Sequence, residues 1–450
     1  MRYKLPLSSI LLAIIVALPS LGQQIPIAAQ TGPRKGILSA MMNPAELNNL
    51  SRHVDVHLFS VQGAFSNNSF SFRDFIDSDG NFINRAFQDN DGTFSGMTSA
   101  TVIGPSVGLK LGKWSVGLSS MITANASFNE LDGKFGRYLT DEDFSGEFTE
   151  ISLASSNNQR LFANSHMEIG LLGGYEIWND QWSKLSVGAN VKLLFPGNFT
   201  HFSLNNFRGT VIQNGSEISL TNAQGSLNLS YDQSLVNNDN FNPSWNNLAA
   251  NSLNGVGLDL GVNYQMKNDG GVWLNTGISV QNIGSMRFGS GQAFHTYQIA
   301  IPANESFRLD LLESDLNDLE NQLLESGYFT KQIDQNGVAT QLPTSIAINA
   351  DIQVTDKFTV SAYGKKFIRD VESDLQLNAL NMAAVIPRMV LGNFELYSPW
   401  VLTQYAGLAG GLGLRYGGFY IGSHSLLTGY FGNSKQADIH VGLSLGFGNH

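Results

Sequence analysis

Five stretches of this chain alternate apolar residues with small or polar ones at a period of two, and the last ends three residues before the C-terminus. In 437–447, Ile439, Val441, Leu443, Leu445 and Phe447 fall on one side of an extended strand, and His440, Gly442, Ser444 and Gly446 on the other. Residues 184–194 set Leu185, Val187, Ala189, Val191 and Leu193 against Ser186, Gly188, Asn190 and Lys192. Residues 255–266 set Val256, Leu258, Leu260, Val262 and Tyr264 against Gly257, Asp259, Gly261, Asn263 and Gln265, and 345–354 and 358–364 repeat the theme. Strands of about ten residues match a tilted membrane crossing. A sheet in lipid must close on itself, because an unpaired backbone group finds no water there.

Alternation alone also fits a soluble sandwich, so the composition of the polar face decides. That face is rich in Gly, Ser and Asn and poor in the Lys, Glu and Thr of a solvated sheet. Charged residues are 14% of the chain and glycines number 47, where a soluble protein carries about a quarter charged. Trp114, Trp178 and Trp182 stand beside short turns, as an interfacial girdle requires. The fold class is all-β: an antiparallel transmembrane barrel.

The N-terminus carries Arg2 and Lys4, an apolar run over 11–18, and small residues Ser20 and Gly22 before Gln23, which marks 1–22 as a cleaved export signal. Pro6 and Pro19 leave too short an apolar span for a helical anchor. With zero cysteines there is no disulfide framework, thiolate metal site or lipid-modified cysteine. Loss of Arg2 and Lys4 leaves 24 basic against 37 acidic residues, a net charge that disfavours nucleic acid. Turn-punctuated strands run without a linker from about residue 53, so 52–450 is one outer-membrane domain preceded by an exported segment, 23–51.

Turns at 112–113, 179–183, 267–270 and 355–357 are short, whereas 126–165, 233–254 and 285–342 are long. Short turns face the periplasm and long loops the exterior. Alternating the strands on that rule gives 14 to 16 of them and brings the last one down to the periplasmic side, provided 53–75 is one long strand bent near Gly63.

Segment 23–51 shows no sustained alternation, and is either a tail or an inserted plug. It contains Asn43-Pro44-Ala45-Glu46-Leu47. This Asn-Pro-Ala-x-Leu element resembles one found soon after the signal in long-chain fatty acid transporter barrels and in barrels associated with type IX secretion. The resemblance implies that 23–51 folds into the lumen as a hatch, with Asn43, Pro44, Ala45 and Leu47 as its motif. The same motif with Val54-Asp55-Val56-His57-Leu58-Phe59, Gly417-Gly418-Phe419-Tyr420-Ile421-Gly422-Ser423 and Lys435-Gln436-Ala437-Asp438-Ile439-His440-Val441-Gly442-Leu443 resembles a family of outer-membrane barrels filed as a domain of unknown function. That likeness implies the fold and supplies no activity.

No catalytic set, cofactor or metal site emerges. Gly104-Pro105-Ser106-Val107-Gly108 matches a nucleophile elbow, but that motif needs a following helix and 109–111 continue as strand. Gly255, Gly257 and Gly261 alternate along a strand and serve lumen packing rather than a dinucleotide. His53 and His57 stand about 13 Å apart in a strand and cannot share an ion. The Asp77–Gly80 and Asp89–Gly92 runs place Phe75 and Phe87 where a calcium loop needs its first carboxylate. Ser423, His424 and Ser425 are neighbours whose side chains alternate between faces along a strand.

From Ser306 onward Leu309, Leu312, Leu316, Leu319 and Leu323 recur at three and four residues among acidic ones, which predicts an amphipathic helix in the long loop. It is either packed over the barrel mouth or a lid or docking face for a basic partner or for cations bridging to lipopolysaccharide. Three functions stay open. A gated channel or carrier for hydrophobic small molecules comes first, with a hydrophobic ligand and outer-membrane lipid as partners. A scaffold in an envelope or secretion complex, with a protein partner, is second, and a general porin third.

Overall fold

The computed structural model describes residues 27–77, 92–133, 150–155, 158–215, 217–232, 252–309, 316–368 and 375–448. The export signal assigned to 1–22 and most of the two acidic turns between 77 and 92 lie outside them.

The wall begins with β1 (Val54–Asn67), β2 (Thr93–Ile103) and β3 (Ser106–Leu111). β2 and β3 are one crossing interrupted at Gly104-Pro105. Next come β4 (Trp114–Asp132), β5 (Glu150–Ala154), β6 (Gln159–Asn179) and β7 (Ser183–Asn214). They are followed by β8 (Glu217–Asp232), β9 (Gly255–Asn268), β10 (Gly271–Arg308), β11 (Phe329–Gln341) and β12 (Ser345–Thr355). β13 (Phe358–Phe367), β14 (Met382–Leu391), β15 (Phe394–Tyr397) and β16 (Trp400–Thr403) lead to β17 (Gly407–Gly410), β18 (Leu412–Tyr416), β19 (Phe419–Ser423) and β20 (Gln436–Phe447).

Near the short turns the antiparallel ring runs β1, β3, β4, β6, β7, β9, β10, β12, β13, β14, β15, β18, β19, β20. It closes where β20 pairs with β1 from Val54↔Phe447 to Ser66↔Gln436. Fourteen crossings therefore form the wall among the described residues, within the expected 14 to 16.

The radial distribution of side chains is inverted relative to a soluble sandwich. Leu118, Val191, Leu260, Ile278, Ile348, Val385 and Ile439 are exposed on the outside, while Ser115, Ser186, Asn190, Asn263, Ser361 and His440 are buried inside. Lipid is the solvent that such an exterior fits. Trp114, Trp178 and Trp182 are all exposed next to the short turns, where an indole straddles headgroup and hydrocarbon.

Three expectations need correction. The first strand stops at Asn67, and residues 72–77 form a helix, α3 (Phe72–Asp77), rather than continuing the strand. Asn67 Oδ1 accepts the Ser69 and Phe70 N–H groups, and Ser71 with Asp74 closes a reciprocal cap on the helix. Second, the expected long loop 285–342 is largely sheet where it is described, while 233–251 lies outside the described residues: β10 has 38 residues and β7 has 32, far beyond the 9–11 or so that cross a bilayer. Their distal halves join β5, β8 and β11 in an outer sheet with its own apolar core, including Leu204, Phe207, Val211, Tyr297, Ile299, Phe307 and Phe329. Beyond the membrane water surrounds the sheet again, so apolar residues turn towards each other.

Third, the leucine helix is shorter than its periodicity. It is α4 (Leu316–Glu325), whereas Ser306 pairs with Thr221 in the ladder between β10 and β8. Cross-strand hydrogen bonding with β8 overrides the 3.6-residue pattern there.

Candidate functional site

The segment ahead of β1 consists of α1 (Ile27–Gln30), α2 (Ile37–Met42) and a 3-10 turn, Pro44–Asn49. It is buried along most of its length and rests against the inward faces of the wall. Asn43 bends the chain between the two helical pieces. Its Oδ1 accepts the Ala45 N–H at 3.1 Å, and its Nδ2 donates to the Val262 carbonyl of β9 at 3.1 Å. Pro44 occupies the first position of the turn, where its missing N–H costs nothing. Ala45 and Leu47 are fully buried, Leu47 in a cluster with Ile37, Ala40, Leu50 and Leu172.

Glycines on the wall make room for this segment. Gly108 faces Gly117 across β3 and β4, and Gly188 is the register partner of both Gly174 and Gly261. A side chain at Gly108 or Gly117 would meet Leu47 and Ile37, at Gly174 Asn48, at Gly188 the Pro44 carbonyl, and at Gly261 or Gly277 the Asn43 amide. These alternating glycines admit close approach of a second backbone.

Glu46, between Ala45 and Leu47, is the electrostatic centre. Its Oε1 accepts from Asn275 Nδ2 at 2.8 Å, Asn349 Nδ2 at 3.0 Å, Asn263 Nδ2 at 3.1 Å and Lys35 Nζ at 3.2 Å. Lys35 also reaches Asp351 Oδ2 at 2.6 Å, and Asp351 Oδ1 accepts the Gly32 N–H and the Ser361 hydroxyl. Burial alone would lower the Lys35 pKa, but the Asp351 and Glu46 carboxylates outweigh it and hold the ammonium above its ordinary value. Beside this network Arg388 binds Glu395 at 2.8 Å and the Thr31 hydroxyl, and Arg34 donates to the carbonyls of Gly392, Asn393 and Gly417 in the short turns.

Above the segment, Lys192 Nζ bridges Asp259 at 2.9 Å and Glu168 at 3.5 Å. Higher still the inward face becomes apolar. Phe162 on β6, Leu194 and Phe199 on β7, Met286 and Phe288 on β10 and Val338 on β11 form one buried cluster, joined by Leu377 from the segment before β14. The Phe199 and Phe288 rings stack with centroids 4.9 Å apart.

Among the described residues, only three of the five leucines lie in the helix. Leu309 follows β10, Leu312 lies outside the described residues, Leu316 and Leu319 belong to α4, and Leu323 is buried in the outer core. Among the acids of this region, Glu320 pairs with Lys331 at 2.6 Å. Ser106 Oγ donates to the Gly104 carbonyl and accepts the Ser120 N–H within the wall. Ser423, His424 and Ser425 do not splay to opposite faces. β19 ends at Ser423, and all three side chains converge on Asp438, His424 Nδ1 at 2.7 Å and Ser425 Oγ at 2.7 Å. Both hydroxyls sit on the acid, so no serine is activated by the imidazole.

Sequence reasoning missed Lys35, Glu46, Asp351, Arg388 and Glu395. The available signal was parity, since Asp351 occupies the inward register of residues 345–354 with Ser345 and Asn349, where an unpaired charge could not stay.

A family model described as a family of unknown function, DUF5723, matches residues 44–424. No curated protein matches the chain. Among solved structures, the toluene transporter TodX of P. putida is 10% identical with a TM-score of 0.46, over 92% of this chain and 95% of that one. The toluene transporter TbuX of Ralstonia pickettii is 12% identical with a TM-score of 0.39, over 92% and 94%. The CymD monoaromatic hydrocarbon channel is 10% identical with a TM-score of 0.43, over 96% and 98%.

Proposed function

The chain belongs to the family of unknown function DUF5723, and we propose that it is an outer-membrane channel for small hydrophobic molecules, gated by its N-terminal segment. In this reading residues 1–22 are the export signal, 23–51 the hatch and 52–450 the barrel. Asn43, Pro44, Ala45 and Leu47 turn the hatch and seat it.

The observation that carries the proposal is the change in the inward face with height. The hatch level is polar, with Glu46 held by three asparagine amides and Lys35, the Lys192 level is charged, and the level above is the cluster around Phe199 and Phe288. An open porin for polar solutes gains nothing from burying phenyl rings at its mouth, whereas an apolar solute leaving water gains about 25 cal/mol for each Å² it buries there. The hatch below prevents free diffusion.

The test has two arms. Deleting 23–51 behind the export signal raises ion conductance in planar bilayers, and unchanged conductance would sink the gate. Gentle extraction from native membranes followed by native mass spectrometry finds a bound lipid-like molecule at fixed stoichiometry. A stoichiometric protein partner with an empty barrel would favour the scaffold instead, a second reading supported by the outer sheet with its separate core.

A further inference from the structure

His424, at the end of β19, and His440, on β20, are both fully buried within the wall. Their ring centroids are 4.9 Å apart. Each ring spends one nitrogen on a fixed partner: His424 Nδ1 on Asp438 Oδ2 at 2.7 Å, and His440 Nε2 on the Tyr397 hydroxyl at 3.0 Å. The other nitrogens, His424 Nε2 and His440 Nδ1, are buried and meet no hydrogen-bonding group of the protein. Gln62, the register partner of His440 across β1 and β20, also carries a buried amide with neither atom partnered.

A buried nitrogen without a partner costs on the order of 1–3 kcal/mol, and here two such nitrogens belong to adjacent rings. Asp438 is held by the His424 and Ser425 side chains and by the His424 N–H. It therefore pins the His424 proton on Nδ1 and leaves the Nε2 lone pair free, the carboxylate–histidine arrangement that prepares an imidazole for a metal. Tyr397 does the same for His440, accepting from Nε2–H while donating to the Ile421 carbonyl. One donor atom each of His424, His440 and Asp438 lies within 4.8 Å of the others.

We propose that His424 Nε2 and His440 Nδ1 bind a borderline transition-metal ion of the Zn²⁺ class, with Asp438 and Tyr397 as positioning residues. Imidazole nitrogen selects such an ion over Mg²⁺ or Ca²⁺, which prefer all-oxygen sites. The site lies where β19 gives way to α5 (Leu426–Phe431) before β20 returns, so a bound ion ties the end of one strand to the next at an interruption in the wall.

The test uses the full chain extracted in detergent, stripped with chelator and dialysed against Zn²⁺ or Co²⁺. One ion per chain is expected, Co²⁺ giving the intense visible bands of a nitrogen-ligated tetrahedral site, displaced by Zn²⁺. His424→Gln and His440→Gln should abolish uptake, Asp438→Asn should weaken it about 10–100-fold, and His57→Gln should leave it intact. Uptake by the double His424→Gln/His440→Gln variant equal to wild type, in protein whose unboiled band still migrates as a folded barrel, overturns the site. If that variant does not assemble, the wild-type Co²⁺ spectrum decides, since pale bands of an octahedral aqua ion, or no uptake at all, overturn it equally.

Discussion

Lys35 Nζ stands 2.6 Å from Asp351 Oδ2, joining residues 316 positions apart and fastening the N-terminal segment to β12. Both side chains are buried, and Glu46 shares the same ammonium. Lys35→Met should therefore leave the Glu46 and Asp351 carboxylates without the ammonium they share, at a cost of about 3–5 kcal/mol. The barrel wall does not need Lys35 for its hydrogen bonds. The expected outcome is a folded barrel with a raised conductance and an N-terminal segment newly open to protease, measured in planar bilayers and by limited digestion.

The same fastening sets a pH dependence. Lys35 is held above its ordinary pKa of 10.5, so its contribution is complete below that value and is lost as pH rises through the higher folded value. The part of the conductance that Lys35 controls should stay flat to about pH 10 and rise only beyond, because the ion pair keeps its proton past the range of a free lysine. Lys35→Met should show no such step. A step that wild type and Lys35→Met share would belong to another group.

Gly188 offers a test that leaves every charge in place. A side chain there runs into the Pro44 carbonyl, whereas one at Gly173 on the neighbouring strand meets nothing within 4 Å. Gly188→Val should unseat the segment and raise conductance, while Gly173→Val should not. Both should assemble, as shown by different migration of boiled and unboiled protein on a detergent gel.

The barrel was legible because its determinant is local. Inside and outside alternate residue by residue, so Ile439 against His440 announces the two faces wherever the strand ends up. Turn positions were legible for the same reason. The height of β7 and β10 was not, because the distal halves bury apolar residues on a face chosen by the outer sheet rather than by lipid, and the alternation blurs at Pro196 and Phe199. Nor was the Glu46 cage legible. Its donors Asn263, Asn275 and Asn349 come from three strands, and only closure of the ring brings them to one carboxylate. Ser423, His424 and Ser425 escape the strand-alternation rule because β19 ends at Ser423, and nothing in the local sequence marks that end.

Phe288 and Phe307 lie on the same strand, β10, but in different apolar clusters, Phe288 facing the lumen with Phe199 and Phe307 in the outer core with Phe329. Replacing either with Ala removes one buried ring, at a cost of about 3–5 kcal/mol. The two variants should nevertheless differ in function. If the cluster above the N-terminal segment receives an apolar solute, Phe288→Ala takes away part of that surface, so retention of a fluorescent apolar probe should fall, while protease resistance of the outer hairpin is kept. Phe307→Ala should do the reverse, with cleavage near the tip of β7 and β8 and normal probe retention. Equal loss of probe in both variants would mean that the cluster around Phe288 acts through stability alone, and the hydrophobic route would have to run elsewhere in the barrel.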